Sequence, residues 1–430
     1  MKMERARQDL VTYRPQRILK KFKTEVREMI RQHEKRIQPT LKLRVEKLSK
    51  KLQDILNDPS LPTDEIKISA TQIKKEMQSL MKEMHQNNRD TLAAVDATEG
   101  EHIGKTWSNR HKENKPRDTI KRLINRATGT TTNVSKQMAR IVAEHHVNIQ
   151  HDDHDPHEPP EEEELNEIIE TIKCKLLENS RSILAREITE TDVRSAIRET
   201  ANDKAPGIDG IPIKLWRSLD DQYLEAERNK EGDKKCNIVW MLTQAYLDIE
   251  SKGIDHTARL NEGCMNPIYK KKNPDDIANY RPITLLNTDY KIYTKALSVR
   301  LADIVHKIIN PDQAGFIQGR SIFDQVKTTK LVIDYMARTN KKGAVVALNQ
   351  EKAYDKILHG YLWVVLKKFG FPDRFISTIK ALYDTALTTV LINGELSDPF
   401  IVLRGIRQGD PLSCLIFDIA IEPLAELIRK

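Results

Sequence analysis

Cysteine is scarce in this chain. Four residues in 430, Cys174, Cys236, Cys264 and Cys414, stand far apart with no C-x-x-C pair, so the spacing offers neither a disulfide framework nor a zinc site, and a reducing compartment is the default. Long apolar runs are also missing. No stretch approaches the ~18 consecutive apolar residues of a membrane span, and the N-terminal "MKMERARQDLVTYRPQ" lacks the apolar core of a signal peptide. The expectation is an intracellular protein, nuclear or cytoplasmic, with no membrane partner. No internal repeat is visible.

Charge is what the sequence has in quantity. Charged residues make up 31% of the chain and the formal net charge is +8, a balance that favours a nucleic-acid partner without requiring one. The excess is local: residues 1–50 hold 16 Lys/Arg against 6 Asp/Glu, whereas residues 151–170 hold 10 Asp/Glu and no Lys or Arg. Such asymmetry predicts segments with separate jobs. It suggests a basic α-helical region over 1–150, an acidic flexible linker over 151–187 and a globular part over 188–430.

In the first region, apolar residues fall at Leu41, Val45, Leu48, Leu52 and Ile55, and again at Ile66, Ala70, Ile73, Met77, Leu80 and Met84. Steps of four and three mark the seam of a helix packed on another helix. Between the two sets "NDPSLPTDE" supplies a turn, so an antiparallel helical hairpin is expected near 40–85. Two readings stand for it: plain architecture or self-association through the seam, and phosphate contact through its basic outer faces. The basic run "WSNRHKENKPRDTIKRLINR", Trp107 to Arg126, reads equally as a solvated linker or a segment that tracks a nucleic-acid backbone. In "HDDHDPHEPPEEEE" three histidines stand among carboxylates, but the low complexity and paired prolines favour a linker over a metal site.

From Ile188 onward the pattern is globular. Thr189 and Asp192 stand at capping-box spacing, and the Pro and Gly residues of "ANDKAPGIDGIP" stop the helix that follows them. A helix is predicted from near Asn287 to before Pro311. Strands are predicted at "NPIYK", "GAVVAL" and "TTVLING", the last turning at Asn393 and Gly394 into "DPFIVL". Helices mixed with hairpins point to the α+β class.

Five motifs run in order through this part: "KAPGIDGIP" (Lys204 to Pro212), "PIYKKKNPDDIANYRPITLLNTDYKI" (Pro267 to Ile292), "DQAGFIQGRSI" (Asp312 to Ile322), "VVALNQEKAYDKILHGYL" (Val345 to Leu362) and "RGIRQGDPLSCLIFDIAIEPL" (Arg404 to Leu424). In this order they resemble the reverse transcriptase of non-LTR (LINE-type) retrotransposons, a resemblance that covers Thr189 to Lys430. The preceding "EGEHIGKTWSNRHKENKPRDTI", Glu99 to Ile120, is similar to the segment joining endonuclease to polymerase in Tad-like fungal elements. The resemblance implies a right-hand polymerase fold with fingers and a partial palm, an RNA template and a DNA primer as partners, and Mg²⁺ as cofactor.

Each motif also makes physical sense. Lys270, Lys271, Lys272 and Arg281 supply cations around a strand and loop, suited to triphosphate or template phosphate; for Lys271 and Lys272 plain surface lysines are the competing reading. Arg320 adds a cation beside glycines that permit close backbone approach. The resemblance assigns nucleotide binding to Lys270 and Arg281, and nucleotide and template positioning to Arg407, Gln408, Gly409 and Pro411. It makes Tyr354 the steric gate, whose ring would fill the space of a ribose 2′-hydroxyl.

One position departs from the pattern. The family places a metal-binding aspartate five residues before the gate, and Asn349 stands there. An amide oxygen is neutral, so it cannot offset the charge of two Mg²⁺ ions as a carboxylate does. The family's later aromatic-x-Asp-Asp box is expected some tens of residues after "RQGDPLS", and Lys430 lies 17 residues beyond Ser413. The Asp-Asp pairs at 152–153, 220–221 and 275–276 all lie upstream. The reading is therefore a truncated, degenerate reverse transcriptase with no intact metal site. The alternatives are a residual module that binds RNA or DNA nonspecifically and a structural protein that self-associates through its helical hairpin.

Overall fold

The computed structural model describes residues 14–37, 40–57, 62, 65, 68–83, 119–151, 162–202, 204–229 and 236–429. Most of the expected turn after Asn57, the basic run before residue 119 and the acidic tract over 152–161 lie outside the described residues.

Three helices come first: α1 (Pro15–Ile37), α2 (Thr40–Leu56) and α3 (68–83). On α2 the residues Val45, Leu48, Leu52 and Ile55 are half-buried, and on α3 Ala70, Ile73 and Leu80 are buried. An ion pair from Arg44 to Glu76 (3.3 Å) crosses between the two helices at the register of an antiparallel hairpin. The end of α2 rests on a turn of the main sheet, where Gln53 and Asn57 both donate to Glu395 at 3.0 and 3.1 Å.

Next come β1 (Leu123–Ile124) and β2 (Thr131–Thr132), a small antiparallel pair, then α4 (Ser135–His151), α5 (Glu162–Glu170), α6 (Glu178–Ala185), α7 (Glu190–Glu199), α8 (Ile213–Arg228) and α9 (Ile238–Lys252). The capping box at α7 forms as the sequence predicts: Thr189 Oγ1 accepts from the Asp192 amide and Asp192 accepts from the Thr189 amide at 3.0 Å. Asp192 is also bonded by Arg186 and Arg300. Despite its burial, these donors hold its carboxyl well below the usual range.

The main sheet is built from β3 (Gly263–Tyr269), β4 (Tyr280–Leu286), β5 (Leu387–Ile392), β6 (Glu395–Leu396) and β7 (Phe400–Ile401). β3 pairs antiparallel with β4 and parallel with β5, and both short strands pair antiparallel with β5. Asn393 and Gly394 turn β5 into β6 with φ of 50° and 95°. Positive φ at both central residues is the requirement of a type I′ hairpin. Around the sheet lie α10 (Thr288–Val305), α11 (Ile322–Arg338), α12 (His359–Lys368), α13 (Asp373–Tyr383) and α14 (Ser413–Arg429).

One core cluster joins α1 to α6 through α10, α12, α13 and α14, with Trp216, Tyr246, Tyr290 and Tyr293 fully buried in it. A smaller cluster packs Leu123 and three residues of α4 against Met265, Ile277, Val390 and Ile392.

Composition misplaces two features of this arrangement. The basic N-terminal region is not separate from the globular part: Ile18, Leu19 and Phe22 of α1 are buried in the main core. Within it Lys23 Nζ reaches Asp209 (2.8 Å) and Asp289 (2.7 Å). The acidic stretch expected to be a linker through 187 forms α5 and α6 from residue 162, and Ile172, Leu176 and Leu184 join the same core. In both cases sparse apolar residues at helical spacing decide the packing, and net charge does not register them.

The third difference is the strand predicted at "GAVVAL". Residues 341–350 form no strand or helix. Val345, Val346 and Leu348 are 68%, 75% and 77% exposed. A strand needs a hydrogen-bonding partner, and this segment pairs with none of the strands of the sheet.

Candidate functional site

Three of the motifs converge on one place, and backbone hydrogen bonds hold them there. The turn after Asn349 presents Tyr354 O to the Ile406 amide (2.8 Å) and Ile357 O to the Gly405 amide (2.7 Å). His359, at the start of α12, places a ring nitrogen 2.9 Å from Gly405 O. A Cβ at Gly405 would stand 2.7 Å from Tyr354 O, and φ there is +82°, so only glycine admits this approach.

Beyond it, the loop before α14 lies along β4. The Thr284 amide donates to Gln408 O at 3.3 Å, and a Cβ on Gly409 would meet Thr284 O at 2.5 Å. Gly409 also has φ +111°. Asp410 anchors the loop from below: it accepts from the Leu412 amide (3.0 Å) and the Tyr290 hydroxyl (3.1 Å). Burial raises the Asp410 carboxyl and the Tyr290 phenol above their ordinary values. Ser298 of α10 donates to Pro411 O at 3.2 Å.

Tyr354 stands over α14. Its ring stacks on Phe417 with centroids 4.6 Å apart and planes 9° from parallel. Burial, then a hydrogen bond with Cys414, pushes its phenol well above the ordinary value. Beneath it, Asp418 is 2% exposed and its Oδ2 has no hydrogen-bond partner; Glu422, one turn along and equally buried, has an unpartnered Oε2. Desolvation first, then the Glu422 charge, pushes Asp418 up to about 7.

The other site candidates divide into two groups. Lys270, Lys271, Lys272 and Arg281 are exposed on the β3–β4 hairpin, without a side-chain partner among the described residues. Register pairs Arg281 with Ile268, which puts it on the same end of the hairpin as the lysines.

Arg320 and Arg407, in contrast, are engaged by the fold. Arg320 donates to Gln313 O (2.8 Å), Ile309 O (3.0 Å) and His306 O (3.3 Å), and also to Asn310 O, so its guanidinium closes the C-terminal end of α10. Arg407 is 4% exposed, donates to Asn261 O and to Leu387 O (2.7 Å), and lies over the Tyr290 ring. The reading of Arg320 as a cation free for nucleic acid does not fit that geometry. Sequence spacing identifies a cation but not the carbonyls it will meet.

Asn349 itself lies in the exposed segment 341–350. Its neutral amide is joined by no carboxylate there, and among the described residues no group of three or more His, Cys, Asp or Glu side chains could hold a metal ion. The donor set does not fit the pair of divalent cations that the motif resemblance implies.

Sequence reasoning missed Gly405, Phe417, Cys414, Asp418 and Glu422. A signal for the last four is present: Cys414, Phe417, Asp418 and Glu422 lie at i, i+3, i+4 and i+8 of one mostly apolar helix, so they share one face.

Comparison with known proteins bears on this region. Residues 269–430 match the family model for reverse transcriptase (RNA-dependent DNA polymerase). The uncharacterized 149 kDa protein of transposon TX1 from Xenopus laevis is 33% identical over 257 residues, which cover 59% of this chain and 18% of that protein. A Pol polyprotein of the R2DM retrotransposable element of Drosophila melanogaster is 25% identical over 240 residues, 55% of this chain and 20% of that protein. The RNA-directed DNA polymerase from the mobile element jockey, also of Drosophila melanogaster, is 25% identical over 236 residues, 54% and 24% respectively. The chain thus spans about a fifth of the length of these curated relatives, and its likeness is to the reverse transcriptase domain of non-LTR retrotransposons. Enzymes of that type use a divalent metal such as Mg²⁺ and act on an RNA template and a DNA primer. No helix among the described residues is long and apolar enough to cross a membrane.

Proposed function

We propose that this chain is the fingers and part of the palm of a non-LTR reverse transcriptase that binds a template and primer and does not extend the primer. The convergence of the Tyr354 turn, the Gly405–Pro411 loop and β4 carries the reading. Residues 354 and 409 are far apart in sequence, yet the Ile406 amide on Tyr354 O and the Thr284 amide on Gln408 O bring their motifs side by side.

In this reading Lys270 and Arg281 meet nucleotide or template phosphates. Lys271 and Lys272 extend the cationic surface along the hairpin. Gly409 offers bare backbone to the template or base, and Gln408 and Pro411 set the loop's direction. Tyr354, fixed flat on Phe417, limits what enters beside a ribose. Arg407 and Arg320 act indirectly, the first by tying the loop to β5 and the second by closing α10.

The loss of polymerisation is argued from Asn349. A neutral amide in an exposed segment, with no cluster of three or more metal-ligating side chains among the described residues, does not hold two divalent cations, so no reaction step is assigned to a metal here. In a primer-extension assay with Mg²⁺ and an RNA template, turnover is expected to equal that of a metal-free control. Binding of an RNA–DNA hybrid is expected to persist, and its log K to fall as log salt rises. Extension above the control would overturn the inactive reading; absence of hybrid binding would overturn the template-binding one.

A further inference from the structure

Helix α11 is rich in apolar residues, yet none of its residues is buried. Segment 341–350 folds back beside its end: the Lys341 amide donates to Met336 O at 3.0 Å, and a Cβ at Gly343 would stand 2.7 Å from Met336 Cε. The two form one open apolar surface. Ile322, Phe323 and Leu331 of the helix are 68–71% exposed, and Val345, Val346 and Leu348 of the segment 68–77%. Four further apolar residues of α11 are about half exposed. At roughly 100 Å² of open apolar area apiece these residues amount to about 1,000 Å², where the largest apolar patch of a monomer is ordinarily about 300–600 Å². An area of this order matches the ~800 Å² that each partner of a standard interface buries.

The backbone of the segment is open as well. Residues 342–350 make no hydrogen bond among the described residues, so a row of amides and carbonyls lacks a protein partner. Gly343 to Leu348 holds no polar side chain, the pattern of a strand covered on both faces. A pairing strand would satisfy the backbone, and a helix such as α11 must cover the product, because a two-stranded ribbon alone is marginal. The charges at the two ends select the partner. Lys341 and Lys342 precede the apolar run, Glu351 follows it, and all three are exposed. Laid antiparallel on a second copy and centred on Val346, the segment sets Lys341 opposite the partner's Glu351, and two-fold symmetry makes that pair twice. A parallel pairing would set lysine on lysine. Opposite charges directly across a ladder attract and like charges repel, so the ends fit an antiparallel copy of the same segment.

We propose that segment 343–348 is a self-recognition strand: two copies of this chain pair through it, antiparallel about Val346, and the α11 helices of both copies cover the ribbon. The contact is isologous, so it closes at two copies. Asn349 then stands opposite the partner's Gly343, inside the ladder. The helical hairpin of α2 and α3 takes no part, since its seam residues Ala70, Ile73 and Leu80 are already buried. The inference does not rest on the function proposed above.

The test is sedimentation velocity of the full chain between about 1 and 50 μM, a range over which mass action separates monomer from dimer. The wild type should pass from monomer to dimer and grow no further. Val346→Lys sets two ammonium groups opposite each other at the centre of the ladder and should leave monomer at every concentration. Val346 is 75% exposed, so the fold of the monomer does not depend on it. Glu351→Lys, also at an exposed position, should raise the dimer dissociation constant by about tenfold, and Lys341→Glu/Glu351→Lys, which exchanges the two charges, should restore it. A monomeric wild type, growth past the dimer, a dimer that survives Val346→Lys, or a double variant as weak as Glu351→Lys would each overturn the pairing. Failure of RNA–DNA hybrid binding would remove the function proposed above and leave the dimer standing.

Discussion

The Tyr354 ring lies on the Phe417 ring with planes 9° from parallel, so a side chain from a turn is fixed by one from a helix more than sixty positions later. Between them, the Ile406 amide bonds Tyr354 O at 2.8 Å and Cys414 bonds the Tyr354 phenol. The Gly405 amide and its carbonyl then lock the turn and the start of α12 to the loop that precedes α14. The meeting of these motifs is thus a product of long-range packing, and it depends on a few contacts whose removal has separable effects.

Replacing Phe417 with leucine keeps apolar area and removes the stack. Offset aromatic stacking contributes about 0.5–1.5 kcal/mol beyond area, so Phe417→Leu should lower stability by about 1 kcal/mol. The urea midpoint should fall with an unchanged denaturant slope. Loss of the Tyr354 near-ultraviolet dichroism in the same variant would tie the change to the stack.

Gly409→Ala tests the close approach to β4. Its Cβ would meet Thr284 O at 2.5 Å in a backbone with φ +111°, so both sterics and conformation oppose it. A cost of about 2–4 kcal/mol is expected. Gly129→Ala makes the control: φ is +71° but the added Cβ meets nothing within 4 Å, so only the conformational cost of about 1 kcal/mol applies. Equal losses in thermal unfolding would show that the β4 contact does not matter.

Lys23→Met should be among the most damaging single changes. It leaves Asp209 and Asp289, 7% and 0% exposed, without their cation. Breaking a buried pair from one side costs about 3–5 kcal/mol. A compensating Asp209→Asn/Asp289→Asn background should recover much of the loss, because no buried anion then lacks a partner. A Lys23→Met variant as stable as the wild type in urea would mean that α1 does not seat as described.

These contacts mark the limit of what the sequence discloses. Thr189 and Asp192 make their capping box, and Asn393 and Gly394 make their turn, because each depends on residues a few positions apart. Glycines at 405 and 409 are legible as loop residues, but not the carbonyls of Tyr354 and Thr284 that require them. Arg320 reads as a free cation until the carbonyls around it are known. The seat of α1 was hidden for the same reason: Ile18, Leu19 and Phe22 form a short apolar face amid strong positive charge, and nothing local shows that Asp209 and Asp289 will receive Lys23. At "GAVVAL" local propensity pointed the wrong way, because a β-branched run becomes a strand only where another strand pairs with it, and here none does.

Asp418 makes stability depend on pH in an unusual sense. Its carboxyl is pushed up to about 7 in the fold, by burial and by Glu422, from an ordinary value of 3.8. The native state therefore holds a proton that the unfolded chain releases, so this group's stabilisation is complete below about pH 4 and is lost as pH rises to about 7. The difference amounts to roughly 4 kcal/mol at most. His145 and His146 act the other way: burial lowers them to about 4 and about 3, so their contribution is lost as pH falls below 6.5. Comparing variant with wild type cancels the histidines. Asp418→Asn should be more stable than the wild type at pH 8, with the advantage shrinking steadily toward pH 4, in urea unfolding measured at each pH. A difference that stays constant across that range would show that Asp418 is ionised in the native protein, and that the unpartnered oxygens of Asp418 and Glu422 do not share their buried face with a proton.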